Sequence, residues 1–164
     1  MLQEINEILR VQSRPKRDTE EKSRMLLDYT ATYPNEIISY KYRDMVLHVY
    51  ADAAYLTIPD ATSCYAGNFY MSDWPSPGPI KPNSERNGPI HMECKTIRNV
   101  LFSADEAKTG DTFNNGKTAT GMRPYPITLD HEQPATPLKT DNYTTEGFVN
   151  LGMKPKRTKS CNMK

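Results

Sequence analysis

The stretch MVLHVYADAAY, Met45 to Tyr55, decides how this chain is read. Met45, Leu47 and Val49 alternate with Val46, His48 and Tyr50, so both faces of a period-two pattern carry sizeable groups. That pattern predicts a central strand. The run stops on an acid, Asp52, set among the small residues Ala51, Ala53 and Ala54. A carboxylate placed where a buried strand surfaces is held against the core and still reaches solvent. The plain alternative is a strand that ends in a polar residue. A second strand-terminal acid, Asp141 in LKTDN (Leu138 to Asn142), tips the balance.

Upstream, Glu36 to Tyr42 reads as another strand, joined to Met45–Asp52 in a hairpin around Arg43 and Asp44. Before it lie two helical patterns. Leu2, Ile5, Ile8 and Leu9 mark the first, and the basic run QSRPKR follows as a linker. In the second, Asp18 is placed to cap, Glu21 stands three positions on, and Leu26, Tyr29 and Tyr33 share a face. This helix must stop before Pro34. Residues 1–35 are therefore expected to be helices and linker, and residues 36–164 an α/β domain.

Downstream, Pro59-Asp60 marks a turn and Ser63 to Met71 a strand. The prolines between 74 and 89 make that stretch a loop, since a run so poor in N–H groups cannot feed a sheet. GPIHMECKTI is strand-like again. Ser103 followed by Glu106 fits a capping box, and the helix it opens is expected to be weak and to fray into NNGKTATG. A second proline-rich loop (Pro124, Pro126, Pro134, Pro137) leads to the short strand Leu138–Thr140 and a helical turn in YTTEGFVNL. The order is hairpin, strand, strand, helix, strand, helix. That is an α/β chain with an antiparallel start and a helical crossover. If the strands ending in Asp52 and Asp141 are neighbours, their carboxylates meet. Converging carboxylates suit magnesium, and a metal pair about 4 Å apart is a recurring device for phosphodiester cleavage.

Composition narrows the rest. The 164 residues carry a net charge of +1, so bulk charge names no partner. Thirteen prolines are many for a globular chain, where about 5% is usual, and the expected core is modest. Cys64, Cys94 and Cys161 have no paired spacing, which suits free thiols in a reducing compartment. His48, His91 and His131 lack zinc-site spacing. No apolar run approaches the roughly 18 residues of a membrane span, and MLQEINEILR is not a signal peptide. An intracellular protein, cytoplasmic or nuclear and off the membrane, is expected.

The segments HVYADAAYL, GPIHMECKTIRNVLFSADEAKTG and PLKTDNYTTEGFVN, with KRTKSCNMK after them, resemble the ribonuclease H domain of copia-type retrotransposon polyproteins. Arg24 to Asp44, with LLDYTATYP, is similar to the connection from reverse transcriptase to that domain. The order and spacing of these segments carry the resemblance, over roughly residues 20 to 164. It implies a ribonuclease H-like mixed sheet with helical crossovers, here C-terminally incomplete. It also implies a metal-dependent endoribonuclease that cleaves the RNA strand of an RNA–DNA hybrid with two Mg2+ or Mn2+ ions held by four acids. A separate reverse transcriptase chain is the implied protein partner. On the resemblance, Asp52 is the first acid and Asp141 the third, and these two are the implied metal ligands. The helix should carry two glutamates one residue apart. Glu106 matches the first, and Lys108 stands where the metal-facing second belongs. The fourth acid falls beyond Lys164.

A lysine aimed at divalent ions repels them where glutamate attracts, by roughly 4 kcal/mol per unit charge pair at 4 Å and an effective dielectric of about 20. Its stem can also swing away. Glu106 is engaged by the capping box, and Asp111, one turn after Lys108, is at best a partner for the lysine. The resemblance, so qualified, implies a degenerate, inactive domain. The alternative is a non-catalytic nucleic-acid-binding or protein-interaction remnant, with Asn142, Lys154, Lys156, Arg157 and Lys159 as candidate contacts for a phosphate backbone. Tyr65, Phe69 and Tyr70 are read as packing groups, His48 as a satisfied histidine and Cys94 as a small buried residue. Tyr143, Phe148, Val149 and Leu151 are expected to be only partly covered.

Overall fold

The computed structural model describes residues 2–58, 61–75 and 87–151. The chain divides into two compact units, Met1–Ile38 and Ser39–Lys164. In the first, α1 (Leu2–Val11) and α2 (Arg17–Thr32) are joined by Lys22, which bonds Glu7 at 2.6 Å. The cap of α2 differs from expectation. Lys16, not Asp18, takes the cap position, and its backbone N–H donates to Thr19 Oγ1 at 3.3 Å. Asp18 lies inside the first turn, where a negative charge still favours the helix dipole. The helix stops at Thr32, ahead of Pro34, as expected.

The second unit is mixed α/β. Its four-stranded sheet has β1 (Val46–Ile58), β2 (Thr62–Ser72), β3 (Pro89–Ile97) and β4 (Leu138–Lys139) in the order β3-β2-β1-β4. The β1–β2 and β2–β3 pairs are antiparallel, and β1–β4 is parallel. Between β3 and β4 come α3 (Ala104–Met122) and α4 (Pro124–Thr128), and α5 (Tyr143–Leu151) follows β4. The short α4 stands where a proline-rich loop was expected. Pro124 at its first turn needs no N–H there, which is why a helix tolerates it.

Three further expectations fail. Residues 36–45 form no strand, so the predicted hairpin around Arg43 and Asp44 does not exist. Met45 adopts a left-handed φ of 59°, which breaks the extended path just before β1. The preceding segment is held by side chains instead. Lys41 N bonds Asn87 Oδ1 at 2.7 Å, Arg43 bonds Asp73 at 2.9 Å, and Asp44 accepts from Trp74 N at 3.0 Å. The true hairpin partner of β1 is β2. Nor does β1 end at Asp52: it runs on to Ile58, with Asp52 opposite Ala66 and Ala54 opposite Cys64.

The third correction concerns α3. It does not fray into NNGKTATG but continues through that segment to Met122. Ala107, Asp111, Asn115 and Ala119, one turn apart, form its buried face. These side chains are small or short, so the helix can lie close on the sheet. Gly67 in β2 provides the room: a Cβ there would collide with Asn115 Oδ1 and lie 2.7 Å from Phe69 Cε2. Tertiary packing overrides the low helix propensity of the glycine-rich segment.

Beneath α3, Leu47, Val49, Phe69, Met71 and Ala119 form one apolar cluster, edged by Met122 and Leu138. Tyr65, Ile97 and Ala107 form another. Burying each large group contributes roughly 1.5–3 kcal/mol. Phe69 and Tyr70 are fully buried and Tyr65 nearly so, which fits their reading as packing groups. His48 is buried beside Tyr70, with Nε2 2.9 Å from the Asp73 carbonyl, and burial holds its pKa below the usual histidine value. Cys94, by contrast, is half-buried.

The two-residue β4 is anchored from its flank. Gln133 acts as a surrogate strand residue, accepting from Leu47 N at 2.9 Å and donating to the Met45 carbonyl at 2.8 Å. Arg123, at the end of α3, grips the Gln133 and Pro134 carbonyls at 2.9 and 2.6 Å. In α5, Thr145 is buried while Tyr143, Val149 and Leu151 are exposed and Phe148 is half-covered. Among the described residues no helix is long and apolar enough to cross a membrane.

Candidate functional site: an acid pair bridged by Lys108

The parallel register of β1 and β4 sets the site. Val49 pairs with Leu138 and Tyr50 with Lys139. The same offset, carried two residues further, brings Asp52 level with Asp141. Because side chains alternate, both carboxylates fall on the same side of the sheet. The ladder ends at Lys139, so beyond Tyr50 β1 has no described neighbour on that edge, and Asp52 reaches solvent although its strand continues. Both carboxylates are 60% exposed.

Lys108 bridges them. Its Nζ donates to Asp52 Oδ1 at 2.5 Å and to Asp141 Oδ1 at 2.7 Å. The lysine side chain is only 14% exposed, so its stem is packed and its charged end is delivered to the pair. Burial alone would depress its pKa. The hydrogen bonds to Asp141 and Asp52 outweigh that effect and hold the ammonium above the ordinary lysine value. Reciprocally, the hydrogen bond and charge of Lys108 hold Asp141 below the usual carboxylate range. The lysine does not swing away.

Glu106 is engaged elsewhere. Ser103 Oγ accepts from Glu106 N at 3.2 Å, as the capping box requires. Glu106 Oε2 accepts from Phe102 N at 2.8 Å, and the residue is buried. Asn142 accepts from Thr145 N at 2.8 Å, so it caps α5, and it donates to Asp105 at 3.2 Å. Lys154, Lys156, Arg157 and Lys159 lie outside the described residues.

One acid was misjudged from sequence. Asp111 does not pair with Lys108. It is fully buried in the α3–sheet interface, where its Oδ1 accepts from Asn115 Nδ2 at 2.5 Å. Asn115 also donates to the Ala66 carbonyl at 3.2 Å, directly across the ladder from Asp52. Burial first, and the nearby charge of Asp52 second, push the Asp111 pKa up to about 8, so this carboxyl is largely neutral at neutral pH. Asp111 Oδ2 and Asn115 Oδ1 have no hydrogen-bond partner among the described residues. An Asp and an Asn one helical turn apart, between alanines a turn away on either side, was the available signal. It lacks the apolar stripe that normally announces a buried face.

The residues present do not fit a divalent ion. Magnesium needs carboxylate oxygens at about 2.1 Å, and Lys108 Nζ already takes one oxygen of each acid. A +2 ion about 4 Å from that ammonium would meet roughly 2 kcal/mol of repulsion in the near-aqueous dielectric of these exposed acids. Among the described residues, no group of three or more His, Cys, Asp or Glu side chains converges as a metal site. Compared with protein-family models, curated proteins and solved structures, the chain matches none.

Proposed function

We propose that residues 39–164 are a ribonuclease H-like domain of copia-type retroelement origin that no longer hydrolyses RNA. The observation that carries this reading is the Lys108 ammonium seated between Asp52 and Asp141. Three features support the ancestry: two acids brought level on adjacent parallel strands, antiparallel strands at the start of the sheet, and the crossover helix presenting position 108 to both acids. Two-metal hydrolysis needs ligands that gather positive charge around the scissile phosphate. Here one oxygen of each acid is already bonded to the Lys108 ammonium, which halves the negative charge of the pair, and Glu106, the other acid that the resemblance places in this helix, is buried beside the helix cap.

The test is cleavage of a labelled RNA–DNA hybrid in Mg2+ and in Mn2+. The expected result is no cleavage by the native chain. Metal-dependent cutting that disappears in Asp52→Asn would overturn the proposal. Salt-sensitive retention of the uncut hybrid would assign the domain a binding role.

A further inference from the structure

We propose that the outer edge of β3 is a self-complementary docking strand through which two copies of this chain pair antiparallel about Cys94. β3 closes the sheet at the end opposite β4, and no described strand pairs with its outer side. It is nine residues long, with its only proline at the first position, so every residue from Ile90 to Ile97 keeps its N–H. Exposed edges of this length are normally blunted by proline, bulges or unopposed charge. Here the irregularity in the β2–β3 ladder lies near Pro89, at the strand's start. The one lysine, Lys95, is already neutralised by Glu93 at 2.5 Å. Ile90 and Met92 are each 45% exposed on the face away from α3.

Charge selects both the partner and the register. Two copies of one strand can pair antiparallel about any residue, and each choice fixes which side chains meet. Centring on Glu93 sets glutamate against glutamate, and centring on Lys95 sets lysine against lysine; like charges directly opposite destabilise. Centring on Cys94 sets Glu93 opposite Lys95 of the second copy, twice by symmetry. It also places Met92 opposite Thr96, His91 opposite Ile97, and Cys94 opposite Cys94. Seven residues then pair with no proline and no like-charge contact. Glu93 is fixed for this role, buried and accepting from Thr118 Oγ1 at 3.2 Å on the α3 side, while the 61% exposed Lys95 side chain that bonds it within the strand would exchange that bond for the equivalent one to Glu93 of the other copy. Such a contact is isologous and closes as a two-fold dimer.

The experiment is sedimentation of the full chain as a concentration series, native and Lys95→Glu, with circular dichroism to verify folding. The native chain is expected to dimerise. Lys95→Glu should raise the dimer dissociation constant about tenfold, and adding Glu93→Lys should bring it back. A second measurement is independent of that swap. In a Cys64→Ser/Cys161→Ser background, mild oxidation with diamide should yield a covalent dimer through Cys94, and Cys94→Ser should abolish it. A native chain that stays monomeric throughout, or a dimer indifferent to Lys95→Glu that gives no Cys94 cross-link, overturns the proposal.

Discussion

Replacing Lys108 with methionine keeps the stem but removes the ammonium, and the outcome is calculable. Each exposed ion pair contributes roughly 0.2–1 kcal/mol, and the 60% exposure of both carboxylates argues for the middle of that range, so the two together are worth about 1 kcal/mol. Removing the lysine also leaves two carboxylates on adjacent strands, about 5 Å apart, and in near-aqueous dielectric their repulsion adds about 1 kcal/mol. Lys108→Met should therefore lose about 2 kcal/mol, a fall in Tm of several degrees for a chain of this size. A divalent ion can then take the vacated position and restore part of the loss by mass action. The assay is urea denaturation of both proteins in EDTA and in a magnesium series. The native chain should not respond to magnesium, and the variant should gain stability with it. A variant as stable as the native chain in EDTA, or a native chain that magnesium stabilises, would refute the reasoning.

Three further outcomes follow from named contacts. Asp111 binds its proton more tightly folded than unfolded, so stability should fall as pH rises from about 4 towards the folded pKa of about 8; Asp111→Asn should flatten that slope, read as urea midpoints across the interval. Gly67→Ala drives a methyl into Asn115 and should cost about 1–3 kcal/mol, much of it recovered in Gly67→Ala/Asn115→Ala by thermal melts, and additive losses would show that the two sites do not touch. Ser103→Ala removes the acceptor for Glu106 N and should destabilise by about 1 kcal/mol, with an unchanged melting curve counting against the cap.

The strands at Val46, Thr62 and Pro89, the cap at Ser103 and the helix after Asp141 were legible because each rests on local pattern: alternation, a capping box, a short periodic run. Asp52 and Asp141 stood out as acids beside apolar runs. The false strand at 36–42 shows the limit of alternation, since nothing local announces that Met45 turns left-handed. The persistence of α3 through NNGKTATG was equally hidden. Its buried face is Ala, Asp, Asn, Ala, and the room it packs into is left by Gly67 in β2, 48 residues before Asn115. What the amino-acid sequence determined by itself was the four strands from Val46 onward, the starts of the long helices, and the presence of a lysine where the resemblance expects a glutamate. Only the tertiary structure decided what that lysine does. The β1–β4 register, held by Gln133 and Arg123, brings two like charges level, and the cheapest relief is the buried-stem cation that α3 delivers between them.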